Sequence, residues 1–171
     1  MAWNRLQWLG LVPVVLLLHN VEEALTLRGY LGRLQALLPD WLVSVLGSVS
    51  LKQGWLALIL VSLIGLLMGL PVGMKRDDRL ALFLPLAVQA ALLLNVISHL
   101  FIALRLGGYG PGLASALLLV LPFSLWLFNR AWREQWLPRG DFLVLPLAAL
   151  VLHGPALLGV LAMARGLAGL R

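Results

Sequence analysis

The chain predicts an all-α fold, a polytopic transmembrane helical bundle of about five spanning helices plus one amphipathic interfacial segment. Three observations predict it. The 171 residues are 61% hydrophobic and only 12% charged. Mean hydropathy is +0.97, more apolar surface than a soluble core of this length can hide. Stretches of the roughly 20 apolar residues that a crossing needs recur at 6–27, 55–74, 80–106, 111–132 and 142–164. These stretches account for most of the chain, so residues 1–171 read as a single transmembrane helical domain.

The first span follows Arg5 and has no small-x-small cleavage site after its apolar run. It passes instead into His19-Asn20-Val21-Glu22-Glu23, the pattern of a retained signal anchor. Residues 30–50 alternate Leu31, Leu34, Leu38, Leu42, Val45 and Val49 with Arg33, Gln35, Asp40, Ser44 and Ser48, and Pro39 interrupts them. That spacing predicts a short, broken amphipathic helix lying in the interface, with a sixth crossing as the alternative. In the second span Gly65, Gly69 and Gly73 recur every fourth residue, which lets a neighbouring helix approach within the bundle. In the fifth, Pro155 follows His153-Gly154 and cannot donate to the Val151 carbonyl, so a kink is expected beside the histidine. The kink either aims His153 inward or is a tolerated membrane proline.

Charge sets the expected orientation. The Lys75-Arg76-Asp77-Asp78-Arg79 turn and the 129–140 loop, with Arg130, Arg133 and Arg139, go inside by the positive-inside rule. The N-terminus is then cytoplasmic, and the expected location is the inner membrane of a prokaryotic cell. Trp3, Trp8, Trp132 and Trp136 fall near one interface, Trp41 and Trp55 near the other. A net charge of +6 is scattered through loops without a basic stripe carrying aromatics, which excludes nucleic acid and leaves membrane lipid as the expected partner. The absence of cysteine excludes disulfides, thiolate metal sites, iron–sulfur clusters and cysteine nucleophiles.

Function is expected where polarity is out of place. Glu22 and Glu23 and all three histidines, His19, His99 and His153, lie inside apolar spans. Each ionisable group there costs about 2.5–3.5 kcal/mol on insertion scales, so the groups must neutralise one another, bind a cation or hold a proton. His19, Glu22, Glu23 and Thr26 share one helical arc, as do Asn95, Ser98 and His99. With five crossings both stripes, together with His153, Tyr109 and Ser115, fall in the outer half of the bilayer. A sixth crossing would reverse the third span and separate His99 from His19.

The quoted residues resemble the HXXEE family of small membrane proteins. His19-Asn20-Val21-Glu22-Glu23 matches its motif, Asn95-Val96-Ile97-Ser98-His99 matches an N-x-x-x-H element, and Tyr109-Gly110-Pro111-Gly112-Leu113-Ala114-Ser115 matches a Tyr-x-Pro-Gly-x-x-Ser/Thr element. The resemblance implies a compact helical membrane domain with these polar residues at its functional site, and it supplies no reaction. His153 lies outside the three elements.

Two or three imidazoles and a carboxylate form a common first shell for zinc, iron or manganese. The leading expectation is therefore a metal-dependent membrane enzyme, hydrolase-like, acting on a small lipophilic substrate of lipid or isoprenoid type. His19, Glu23, His99 and His153 are its expected metal ligands, and Glu22, Glu23, Asn95, Tyr109 and Ser115 its catalytic residues. Glu22 would accept a proton from water or orient a ligand, and Tyr109 and Ser115 would hold substrate or developing charge. A metal-independent alternative is similar to the CAAX-type intramembrane proteases. Here, however, four residues separate Glu23 from Arg28 where those proteins have three, and Asn95 replaces their aromatic residue. Three histidines are too few for the histidine boxes of membrane di-iron desaturases. Proton or divalent-cation transport or sensing is the second class, although no inverted repeat is visible. A third reading has the polar residues fasten two helices, with Arg105 offsetting the glutamate pair. For Gln89 and Ser62 plain packing is expected.

Overall fold

The computed structural model describes residues 4–70 and 78–169. Expectations placed on Trp3, Gly73, Met74, Lys75, Arg76 and Asp77 lie outside these residues. Five helices are long and apolar enough to cross a membrane: α1 (Arg5–Gln35), α3 (Leu51–Gly69), α4 (Arg79–Leu106), α5 (Leu113–Arg133) and α6 (Arg139–Leu167). The short helix α2 (Asp40–Leu46) joins the first two. No strand occurs among the described residues.

Local chemistry explains the ends. Asn4 and Gln7 form a reciprocal capping box at the start of α1. The helix breaks at Gly10-Leu11 and resumes at Val12, with Pro13 in the first turn, where its missing N–H removes no helical bond. Ser50 caps α3 through the Gln53 amide and Asp78 caps α4 through the Leu80 amide. Gly107, at φ +71°, ends α4 in the left-handed conformation.

The first span is longer than its hydropathy indicates. Residues 30–35 continue α1, and the expected interfacial segment splits into that extension, a turn at 36–39 and α2. The helix runs through Gly29 and Gly32 to Gln35, so the helical periodicity belongs in its first part to the spanning helix. Arg33 then donates to the Leu106 carbonyl at the end of α4.

α4 is the central element and touches every other spanning helix. Leu9, Val12 and Leu16 of α1 pack with Leu86, Leu92 and Val96 of α4 and with Ala116, Val120 and Leu127 of α5. A smaller cluster of Ala57, Val160 and Ala164 joins α3 to the C-terminal part of α6, where Gln53 donates to the Leu161 carbonyl. At the opposite end Arg79 grips Asp141 with two hydrogen bonds, tying the starts of α4 and α6.

Two helices contain π turns. In α6 the turn covers Leu152–Ala156, where Pro155 has no N–H for the Val151 carbonyl and the ladder shifts to i→i+5 bonding. In α5 it covers Ala116–Val120, ahead of Pro122. Ser124 donates to Val120 and accepts from Gln89, so Gln89 fastens α4 to α5 as packing alone predicts.

The glycine stripe packs α3 against α1. A Cβ on Gly65 would lie 2.1 Å from Leu16 Cδ2, and one on Gly69 would lie 3.0 Å from Pro13 Cδ. Replacing Gly65 by leucine should cost about 1–3 kcal/mol through overpacking. This would be read as a lower thermal midpoint from tryptophan fluorescence in detergent. Gly29→Leu, at a position with nothing within 4 Å of a built Cβ, should leave the midpoint near wild type.

Candidate functional site

The motif residues sit in the middle of α1 and the C-terminal half of α4, beneath the loop that starts α5. His19 and Glu23, one turn apart on α1, face His99 on α4. The two imidazole rings meet edge to face with centroids 4.9 Å apart. His19 Nε2 and His99 Nε2 are 3.1 Å apart, and Glu23 Oε2 lies 3.8 Å from the first and 3.9 Å from the second. Both imidazoles are buried, while the Glu23 side chain keeps 26% exposure.

Hydrogen bonding constrains which nitrogens carry protons. Ser115 Oγ lies 3.3 Å from the Gly112 carbonyl, to which it can only donate. It therefore accepts from His19 Nδ1–H at 2.9 Å, leaving a lone pair on His19 Nε2. Asn95 Nδ2 lies 2.9 Å from His19 Nε2 and 3.0 Å from His99 Nε2. With one amide hydrogen given to each nitrogen, His99 also presents an Nε2 lone pair; with the amide turned over, His99 Nε2–H donates to His19 Nε2 at 3.1 Å. His99 Nδ1 is buried beside the Pro111 backbone with no hydrogen bond of ordinary geometry. Two imidazole Nε2 atoms and a carboxylate oxygen thus lie within 4.8 Å of one another, with Asn95 bridging the nitrogens. They are the one group of potential metal ligands found among the described residues. Around a tetrahedral zinc ion, with Zn–N of about 2.0–2.1 Å, two ligand atoms stand roughly 3.3–3.4 Å apart. The observed spacings fit such an ion after small side-chain adjustments.

Glu22 has a different environment from its neighbour. Its Oε1 accepts from the Tyr109 hydroxyl and, at 3.2 Å, from the Ala114 amide, and its Oε2 accepts from the Ser115 amide at 2.6 Å. These amides are unpaired donors in the first turn of α5, where a carboxylate also meets the positive end of the helix dipole. Desolvation, then the bond to Glu22, pushes the Tyr109 phenol up to about 12, so it stays a donor across the neutral range. Tyr109 also packs on Tyr30 at 5.9 Å. The clamp presses Gly112 onto the imidazoles: a Cβ there would stand 2.7 Å from His99 Cε1, and φ is +75°. Only glycine suits both the conformation and the approach.

His153 stands apart from the three ligand atoms. Its Nε2 meets Ser98 Oγ at 2.9 Å, and its ring lines a cavity of about 190 Å³ shared with Asn20, Glu23 and Asn95. Arg105 lies over the Phe101 ring, 5.7 Å from its centroid, so its guanidinium is engaged there. Sequence reasoning missed Asn20, while Ser62 has the packing role expected of it. Asn20 donates to Ser62 Oγ at 2.9 Å, joining α1 to α3 beside the cavity. The sole signal was its place within the motif, since helical phase turns it away from the shared arc of His19 and Glu23.

The family described as proteins of unknown function with an HXXEE motif matches residues 10–127. The chain belongs to that family, and the match contains all three motif elements and every residue of the cluster. No curated protein and no solved structure matches the chain.

The clamp makes a graded prediction. Glu22→Ala removes the acceptor of two backbone donors and the Tyr109 hydroxyl, about 1 kcal/mol for each of these exposed or half-buried hydrogen bonds. Tyr109→Phe removes one hydrogen bond, worth about 1 kcal/mol. Thermal midpoints should fall in that order, and hydrogen exchange should accelerate at the Ala114 and Ser115 amides in Glu22→Ala.

Proposed function

We propose that this HXXEE-family protein is a metal-dependent membrane hydrolase that acts on a small lipophilic substrate. One divalent ion (zinc, iron or manganese) would be held by His19, Glu23 and His99. The observation that carries the reading is the Glu23 carboxylate. It makes no hydrogen bond among the described residues, and two imidazole nitrogens lie 3.8 and 3.9 Å from it. A carboxylate among hydrocarbon side chains needs a proton or a cation, and three converging donors are built for a cation.

Bound there, the ion would supply Lewis acidity toward a carbonyl or phosphoryl oxygen and acidify water. The protein's own residues do the rest. Ser115 holds the His19 tautomer as an outer-shell partner. Before an ion binds, Asn95 spans both imidazoles and keeps their rings oriented, and it would release them as the nitrogens coordinate. Glu22 and Tyr109 fasten the loop that roofs the cluster. In this reading Glu22 serves the reaction through that loop, since its oxygens are already occupied. Glu23 and His153, which line the cavity, are the groups open to a substrate, and His153 is a reserve donor to the ion.

Elemental analysis of detergent-purified protein tests the reading. Wild type should carry stoichiometric metal, and His19→Ala, His99→Ala and Glu23→Ala should each lose it. Ser115→Ala should retain metal at saturation with roughly 10–100-fold weaker affinity. Unchanged metal content in Glu23→Ala would overturn the assignment.

A further inference from the structure

The cavity beside the cluster has walls of unequal character. Hydrogen bonds from Asn20 to Ser62 and from Asn95 to His19 bring α1, α3 and α4 together at one height. At or near that height the lining includes Asn20, Glu23, Asn95 and His153. Toward the starts of α1 and α4 it changes to Leu16, Gly65, Met68, Val88, Ala91 and Leu92, all apolar. The missing side chain of Gly65 helps keep this arm open, because a Cβ there would drive into Leu16 and come within 3.9 Å of Val88.

The same cavity reaches the flank of the bundle. α3 and α6 touch through Ala57, Val160 and Ala164, but the first half of α6 leans on α4 instead, with Leu145 in the main core. Between these two contacts Ile64 is 38% exposed and Ala156 is exposed, and both line the cavity. The opening is therefore sideways, on a surface of apolar residues, and not at a bundle end.

An apolar void of ~150 Å³ stays dry and admits benzene. By the same scale, about 190 Å³ admits roughly seven or eight carbon atoms, a segment of one chain and not of two. We infer that this cavity seats a single hydrocarbon chain of a membrane-resident amphiphile, admitted laterally between α3 and α6 past Ile64 and Ala156. Gly65, Met68 and Val88 form the floor, and the polar head lies beside Glu23, Asn95 and His153. The inference names the chain of the substrate and rests on the metal reading for what happens at the head. The seat itself needs no metal.

The test is photocrosslinking in nanodiscs with a fatty acid that carries a diazirine about eight carbons from its carboxyl. Adducts mapped by mass spectrometry should fall on Met68 and Val88. Ala156→Trp, which plugs the opening, should lower their yield roughly tenfold, a loss of about 1.4 kcal/mol. Val88→Phe, which fills the floor, should do the same. Leu67, 80% exposed on the outside of α3, reports bulk lipid and should be labelled equally in every variant. Adducts confined to Leu67 and other outward-facing residues would overturn the inference, as would floor adducts that neither substitution reduces. Metal content measured on the same samples separates the two readings. Floor adducts on metal-free protein uphold the seat while the metal site fails, and bound metal without floor adducts gives the reverse.

Discussion

Leucine, valine and alanine pack helices together but do little to choose one arrangement, because hydrocarbon against hydrocarbon gains little inside a membrane. The choice here is made by a carboxylate. Glu22, on the C-terminal half of α1, accepts the first free amides of α5 and the hydroxyl of Tyr109 from the preceding loop. Each of those donors would be costly to leave unpaired in an apolar setting. Together they fix where α5 begins relative to α1. Once that loop is fastened, Gly112 lies on the two imidazoles and the Ser115 hydroxyl meets His19 Nδ1. The ring orientations follow from the clamp.

Adjacent glutamates acquire opposite roles because neighbours on a helix point about 100° apart. Glu22 faces the start of α5, where amides and dipole supply positive character. Glu23 faces the cavity between α1, α3, α4 and α6, and its carboxylate makes no hydrogen bond to a described residue, because the Asn20 and Asn95 amides there are engaged elsewhere. One carboxylate is satisfied by the fold, and the other is left for a proton or a cation. The arrangement also dispenses with Arg105, whose guanidinium rests on Phe101.

The spans, and the meeting of His19 with His99, were legible because two rules constrain them together. A crossing needs a minimum run of apolar residues, and an odd number of crossings between two polar stripes decides whether they share a depth. The division of labour inside the cluster was not legible. Spacing places Glu22 and Glu23 in one arc, but which of them meets the α5 amides depends on the path of the loop at 107–112. That path turns on left-handed glycines, Gly107 and Gly112. The Asn20–Ser62 bond was hidden for a related reason, since it joins two helices whose relative rotation no single-helix periodicity encodes. Pro155 did announce a disturbance beside His153, and the structure absorbs it as a π turn.

Asn95 ties stability to binding. Its amide lies against the two nitrogens that would receive an ion, so the unliganded cluster carries no pair of bare nitrogens facing each other. Such hydrogen bonds must yield if both nitrogens are to coordinate, and their loss reduces the net affinity by what they contribute when no ion is bound. Glu23 acts in the other direction, because its carboxylate has nothing comparable to give up. Free energy gained there on binding a cation is added to the stability of the α1–α4 pairing. An amide that satisfies the site and a carboxylate that does not are thus set against each other within one turn of two helices. The strength with which this cluster would take a cation is the difference between them.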